Sequence, residues 1–405
     1  MSSTEGIGTL SITYSVIKIH RITTMRNIKI LFFLPLLIAL FTADATSAHG
    51  QSKKIINPGT IVPPLSSDYE LSPQDRLYLG VGQSFFTFLR KKPFSLQEIA
   101  AEIVVIEFFN NYCTSCQAQA PVLNAVQTQI AQNHAIRNKV RFIGVGAGNN
   151  SREVERFKAE KRVPFPLIPD PDFALYNAIG DPGGTPFIII AKKTRSGLTV
   201  VSVHMGLIKE AGYFVQRIEE AALTDTSKLI SVASAEAEPS EDRVLVLPVS
   251  DEILLEKVKA SMRASCIGCG QIIEIVRLSL ANEIVVYRGE FSSGGAHPIL
   301  FSQIISRKPV CDVCHGIHFI ITFTAEGIIA DFTQIHITKY GNVLWNDQDI
   351  AHIRQKLVGK SISRNLQFNA EVDAVSTATI SSALIFNSVN NLQSVFRELE
   401  KGNTH

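Results

Sequence analysis

Charge of one sign is what this chain lacks most plainly: 39 lysines and arginines stand against 37 aspartates and glutamates over 405 residues. No basic stretch interleaved with aromatics occurs. That excludes nucleic acid as a partner, since such binding draws much of its affinity from phosphate neutralisation. Internal repeats are also absent, apart from one recurring tetrad, which excludes a repeat array. Isolated cysteines are the third absence. All six fall into C-x-x-C pairs, Cys113/Cys116, Cys266/Cys269 and Cys311/Cys314, the last followed directly by His315. Two-residue spacing lets both sulfurs share one disulfide, one metal or one haem, so redox chemistry is the leading subject of the sequence.

The compartment decides what such thiols mean. Arg26 and Lys29 open a short cationic start, Ile30 to Phe41 is an almost purely apolar run, and Thr46-Ser47-Ala48 ends in small residues. This is the pattern of a cleavable secretory signal, and its apolar part is short for a membrane span. Residues 1–48 therefore read as a signal peptide with translation starting at Met25, an uncleaved anchor being the alternative. The expected location is exported, either periplasmic or membrane-anchored through this segment. Residues 49–76, with Pro58, Pro63 and Pro64, read as a flexible lead, and residues 224–250, rich in Ser, Ala, Thr and Glu, as a linker. They leave two domains, 77–223 and 251–402, each long enough to bury its own core.

In the first domain, periodicity predicts strand Ile103–Phe109, a helix from Cys116 to Ala131, strand Val140–Val145 and helix Arg152–Lys161 with Ser151 as N-cap. A short helix near Asp172–Ile179, strands Phe187–Ala191 and Leu198–Val203, and a helix from Lys209 to Ala222 complete it. Alternating strands and helices imply a central sheet covered by helices. The run Val104-Val105-Ile106-Glu107-Phe108-Phe109, then Tyr112-Cys113-Thr114-Ser115-Cys116, and later Gly184-Thr185-Pro186-Phe187 resemble thioredoxin-like domains of the TlpA and ResA type. A helix N-terminus lowers the pKa of a thiol placed there, which makes Cys113 the expected nucleophile and Cys116, one turn inside, the resolving thiol. The resemblance implies that Pro186 is a cis proline lying against the pair and exposing the backbone of Thr185 to a thiol or disulfide protein substrate. It also implies that Glu107 is the buried acid that assists proton transfer. Thr114-Ser115 leaves the direction of reaction open, and a purely structural clip is the alternative.

In the second domain, strands are expected at Glu283–Tyr287, His318–Phe323 and Ile328–Ile337, with helices near Asp347–Leu357 and Ile380–Lys401. The stripe Leu384, Val389, Leu392, Val395, Phe396 and Leu399 reads as a core face of the last helix. Just before it, Asp373-Ala374-Val375-Ser376-Thr377-Ala378-Thr379-Ile380-Ser381 resembles the D-x-x-S-G-A-T-x-S motif of FMN-binding domains in the flavin-carrying subunits of sodium-translocating quinone reductases. The resemblance implies FMN joined through its phosphate to Thr379 by a flavin transferase, with Asp373, Ser376, Thr377 and Ser381 around it, and an electron-transfer partner at the membrane. Gly359-Lys360-Ser361 agrees with a segment that often precedes the motif. Thr377 stands where the family has Gly, so non-covalent FMN, or none, is the alternative, and Ser/Thr-rich capping of a long helix is another.

Cys311-Asp312-Val313-Cys314-His315 fits the attachment signature of haem c, while Cys266-Ile267-Gly268-Cys269 lacks the histidine. Disulfides, a dithiol relay, or a metal held by Cys266, Cys269, Cys311, Cys314 and His315 are the other readings, with His297, His318, His336 and His352 as further ligand candidates. The expected fold is an α/β thioredoxin-like domain plus an α+β FMN-binding domain. The expected function is an exported thiol-disulfide redox protein coupled to FMN electron transfer. A redox-inactive module stapled by disulfides and a haem-c electron carrier are the alternatives.

Overall fold

A strand that is buried on both faces sits at the centre of the first domain. All seven residues of β1 (Ile103–Phe109) are buried, as a continuous apolar run demands when helices cover both sides of a sheet. The computed structural model describes residues 56–82, 94–229, 249–281, 284–293, 297–310 and 316–402, which belong to one packed unit. The signal-like segment, Cys311, Cys314 and His315 lie outside the described residues. Among the described residues no helix is long and apolar enough to cross a membrane.

The other strands of this sheet are β2 (Val140–Ala147), β3 (Leu167–Asp170), β4 (Phe187–Thr194) and β5 (Gly197–Met205), in the order β3-β2-β1-β4-β5. The pairs β1/β2 and β2/β3 are parallel; β1/β4 and β4/β5 are antiparallel. The helices are α1 (Pro73–Leu79), α2 (Thr114–Gln132), α3 (Ser151–Lys161), α4 (Ala174–Ala178) and α5 (Ala211–Leu223). The cap of α3 is Asn150 rather than Ser151: its side chain accepts from Glu153 N, and Glu153 returns a carboxylate oxygen to Asn150 N. That reciprocal pair satisfies two amide donors at once, which a lone serine cannot do.

Residues 56–76 are not the expected flexible lead. Val62, Leu65 and Leu71 are buried, and the backbone is tied to the sheet by Val62 N to Leu198 O at 2.8 Å and to the end of α4 by Ile56 N to Ile179 O at 3.1 Å. Each such apolar side chain contributes about 1.5–3 kcal/mol on burial. Pro63 and Pro64 do not oppose this, because at a sheet edge their nitrogens need no ladder partner.

The second domain begins with α6 (Asp251–Ser265), which the sequence reading did not anticipate. Its signal was present: Leu254, Val258, Ser261 and Met262 stand at helical spacing, and all four are buried. A five-stranded antiparallel meander follows, made of β6 (Ile272–Ser279), β7 (Val285–Phe291), β8 (Ile299–Arg307), β9 (Ile317–Thr324) and β10 (Ile329–His336) in the order β10-β9-β8-β7-β6. Strands β6 and β8 were also missed. β6 has no fully buried position, so its alternation is faint. Helices α7 (Asp347–Leu357) and α8 (Thr379–Gly402) complete the domain, with the expected stripe of α8 buried from Leu384 to Leu399.

One apolar cluster spans both domains. Ile106, Phe108 and Ile189 of the first sheet share it with Phe301, Phe319, Phe332 and Leu384 of the second domain. The opposite face of β1, through Ile103, Val105 and Phe109, packs with Cys113, Cys116, Leu123 and Phe214.

Candidate functional site

Strand alternation assigns Glu107 its side of the sheet. With Val105 and Phe109 on the face that packs with the cysteines, Glu107 between them points the same way. Burial pushes its carboxyl up to about 8, so near neutral pH it holds a proton that an exposed glutamate would have lost.

The chain leaves β1 into a turn held by side-chain amides. Asn110 donates to Ala147 O at 2.6 Å and accepts from Tyr112 N at 2.9 Å; Asn149 donates to Asn111 at 2.6 Å and accepts from its backbone N–H at 3.0 Å. The Tyr112 hydroxyl donates to Glu153 at 2.6 Å, and burial, then Glu153, push that phenol up to about 12. The sequence reading missed Asn110, Asn149 and Glu153. Their signal was the pair of Asn-Asn steps at the carboxyl ends of two neighbouring parallel strands, where α/β sheets place sites.

Cys113 is the N-cap of α2, and its sulfur accepts from Cys116 N at 3.4 Å. Helix-end amides favour negative charge on that sulfur. Asn110 N lies 3.5 Å from the Cys116 sulfur, and burial pushes the Cys116 thiol well up. The Thr185-Pro186 bond is cis, and the Cys113 sulfur lies 3.4 Å from Thr185 O. Tyr176 steadies this loop through its hydroxyl, which bonds both Gly184 N and Gly184 O. The Cys113 pair and the cis Thr185-Pro186 loop thus meet, with Glu107 on the face of β1 that packs with the cysteines.

The second domain covers this place. The Thr185 hydroxyl donates to Val310 O at 2.6 Å, and Asn387 of α8 donates to Asp172 O at 2.8 Å. Cys113 and Cys116 are 0% and 1% exposed.

Beside the cysteine turn lies a cavity of about 630 Å³, lined by Tyr112 and Thr114 on one side and by the turns 338–342 and 377–381 on the other. It falls within the range of ligand sites. Thr379 opens the 24-residue α8, and Ser381 donates to Thr338 O at 3.2 Å. Thr377 has φ 59°, the left-handed region where a β-branched residue is strained and glycine is not. Its carbonyl accepts from Tyr340 N at 2.9 Å, which ties the two turns together. Asp373 and Ser376 are not in this wall: Asp373 pairs with Lys356 at 3.2 Å and accepts from Asn369 N, and Ser376 faces solvent. Lys339 lines the cavity with its charge already paired to Asp349 at 2.8 Å.

Cys266 and Cys269 are joined to each other in a disulfide. No group of three or more His, Cys, Asp or Glu among the described residues is placed to hold a metal ion. His297 faces Glu290 at 3.3 Å, His318 bonds Ser306 at 2.8 Å, and His352 bonds Asp373 O at 3.2 Å. The haem-c reading of Cys311, Cys314 and His315 lies outside the described residues.

Residues 84–186 match the AhpC/TSA family. Among solved structures, a putative thiol:disulfide interchange protein DsbE from Chlorobium tepidum is similar at 16% identity over 42% of this chain and 99% of that one, TM-score 0.31. A secreted Mycobacterium tuberculosis disulfide oxidoreductase homologous to E. coli DsbE is similar at 19% identity over 32% and 88%, TM-score 0.26. StoA from Bacillus subtilis is similar at 14% identity over 31% and 87%, TM-score 0.26. None of the curated proteins matches.

Proposed function

We propose, taking the thiol-disulfide oxidoreductase-like domain at residues 84–186 as the premise, that this chain exchanges electrons between a protein dithiol or disulfide and its Cys113/Cys116 pair, beside a cavity for FMN. Cys113 attacks as thiolate and Cys116 resolves. Because the Cys116 thiol is pushed up by burial, it needs a base to attack the mixed disulfide, and Glu107 on the same face of β1, in its ionised form, is the group that takes its proton.

One observation carries the coupling: Tyr112 and Thr114, which flank Cys113, line the same cavity as the 377–381 turn. The donor set there fits a phosphate-bearing flavin. Hydroxyls of Thr377 and Thr379 and the first amides of α8 suit the phosphate, and Tyr112, Tyr340 and Ile380 offer ring and apolar surface. The left-handed backbone at Thr377 further supports the family resemblance, because it is the conformation that explains a glycine there in the motif. FMN supplies an electron carrier able to pass one or two electrons. Export, a flavin transferase acting on Thr379 and an electron-transfer partner at the membrane belong to this reading.

The test is intact mass and visible spectrum of protein made in a periplasm with a flavin transferase. An FMN increment that disappears in Thr379→Ala supports the reading. Failure of wild type to retain or bind flavin removes FMN from it and leaves the thiol chemistry.

A further inference from the structure

The pair Cys266/Cys269 has no part in the site above, and its surroundings are the reverse of those of Cys113/Cys116. Where the first pair is sealed, Cys266 and Cys269 are partly exposed at the end of α6, and between them Ile267 is 99% exposed. Gly268 holds φ +85°, and a side chain built there would meet nothing within 4 Å, so the turn stands clear of the molecule. Its base is fixed: Cys269 N bonds Cys266 O at 3.2 Å, Gly270 N bonds Ser292 O at 2.6 Å, and both cysteines rest on a small apolar cluster of Val258, Met262, Phe291, Leu300 and Ile320, separate from the main core.

A staple does not account for this bond. In the chain-entropy account a disulfide restrains the unfolded chain more the longer the loop it closes, growing as the logarithm of loop length, and a sequence separation of three is near the minimum. Ile267 itself buries almost nothing against this chain. An accessible disulfide with an apolar side chain at its tip, on a rigid base, is what a docking protein thiol needs.

We propose that Cys266–Cys269 is a second, outward-facing redox site whose partner is a protein dithiol that contacts Ile267. A partner thiolate attacks one sulfur, forming a mixed disulfide and releasing the other sulfur as a thiolate that takes up a proton. The partner's second thiol then breaks the mixed disulfide. Two electrons and two protons pass from the partner, which becomes a disulfide, to the Cys266/Cys269 dithiol. This inference does not depend on the flavin reading.

The test uses the native full chain and differential alkylation, with peptide mapping to read residues 266 and 269 separately from the other cysteines. Reduced thioredoxin is the protein dithiol, and dithiothreitol is the small-molecule control. The expected result is that both reduce this disulfide while the circular dichroism stays native, and that Ile267→Glu slows thioredoxin about tenfold but leaves the dithiothreitol rate unchanged. A bond that resists both reductants until the chain unfolds overturns the proposal. Equal effects of Ile267→Glu on the two reductants overturn the docking role of Ile267.

Discussion

Cys113→Ser should lower disulfide-reducing turnover by about 10³-fold or more, because a hydroxyl cannot supply the thiolate that opens a disulfide. The fold should survive: serine still caps a helix, and its oxygen can accept from Cys116 N as the sulfur does. Cys116→Ser is expected to behave differently. It keeps the nucleophile but removes the resolving thiol, so the protein should accumulate as a mixed disulfide. Non-reducing gels and mass mapping of that trapped species identify the protein joined to Cys113. Full turnover in Cys113→Ser contradicts the nucleophile assignment.

Glu107→Gln should change the pH dependence of stability more than any other single substitution outside the apolar core. Folded Glu107 titrates near 8 against 4.5 unfolded, so between those values the native state binds more protons than the unfolded state. Stability contributed by the protonated acid is therefore present at about pH 4.5 and is lost as pH rises through about 8. The loss is of order 3–5 kcal/mol. Gln keeps the shape without the proton, so denaturant unfolding of Glu107→Gln should show a flatter profile, and above pH 8 the variant should be the more stable protein. Parallel profiles for wild type and variant contradict a buried, proton-holding Glu107. Turnover supplies the functional readout: if Glu107 relays the Cys116 proton, the variant should also slow resolution of the mixed disulfide.

Much of the first domain was legible because its signals are local and strong. The apolar run of β1, the cysteine pair opening α2, and Thr185-Pro186 are each contiguous in sequence, and the structure gathers them at one point. The scaffold of the cysteine turn was harder to see. Asn110 with Ala147, and Tyr112 with Glu153, are partners 37 and 41 residues apart, and polar residues in loops look alike until the sheet brings strand ends together. In the second domain the motif around Thr379 stood out, yet α6, β6 and β8 did not. β6 has no fully buried position and β8 buries three residues in a row, so neither alternates, whereas the helical stripe of α6 was present in the sequence and overlooked. Asp373 and Ser376 show the limit of carrying a motif over by spacing alone: they occupy motif positions but make capping, ionic and solvent contacts away from the cavity. The cover of Val310 over Thr185 had no sequence signal at all, since it joins residues 125 apart.

We propose that the thiol pair and a cavity for FMN share a wall, through Tyr112 and Thr114. The measurement that tests it most directly is a flavin-fluorescence titration of the full chain with free FMN, performed once with Cys113/Cys116 as a disulfide and once as a dithiol. Any difference in FMN affinity between the two states must be matched by an equal effect of FMN on the redox equilibrium of the pair. Saturable binding, with affinities that differ about fivefold or more between the two states, is the predicted result. Absence of binding, or identical affinity in both states, contradicts it.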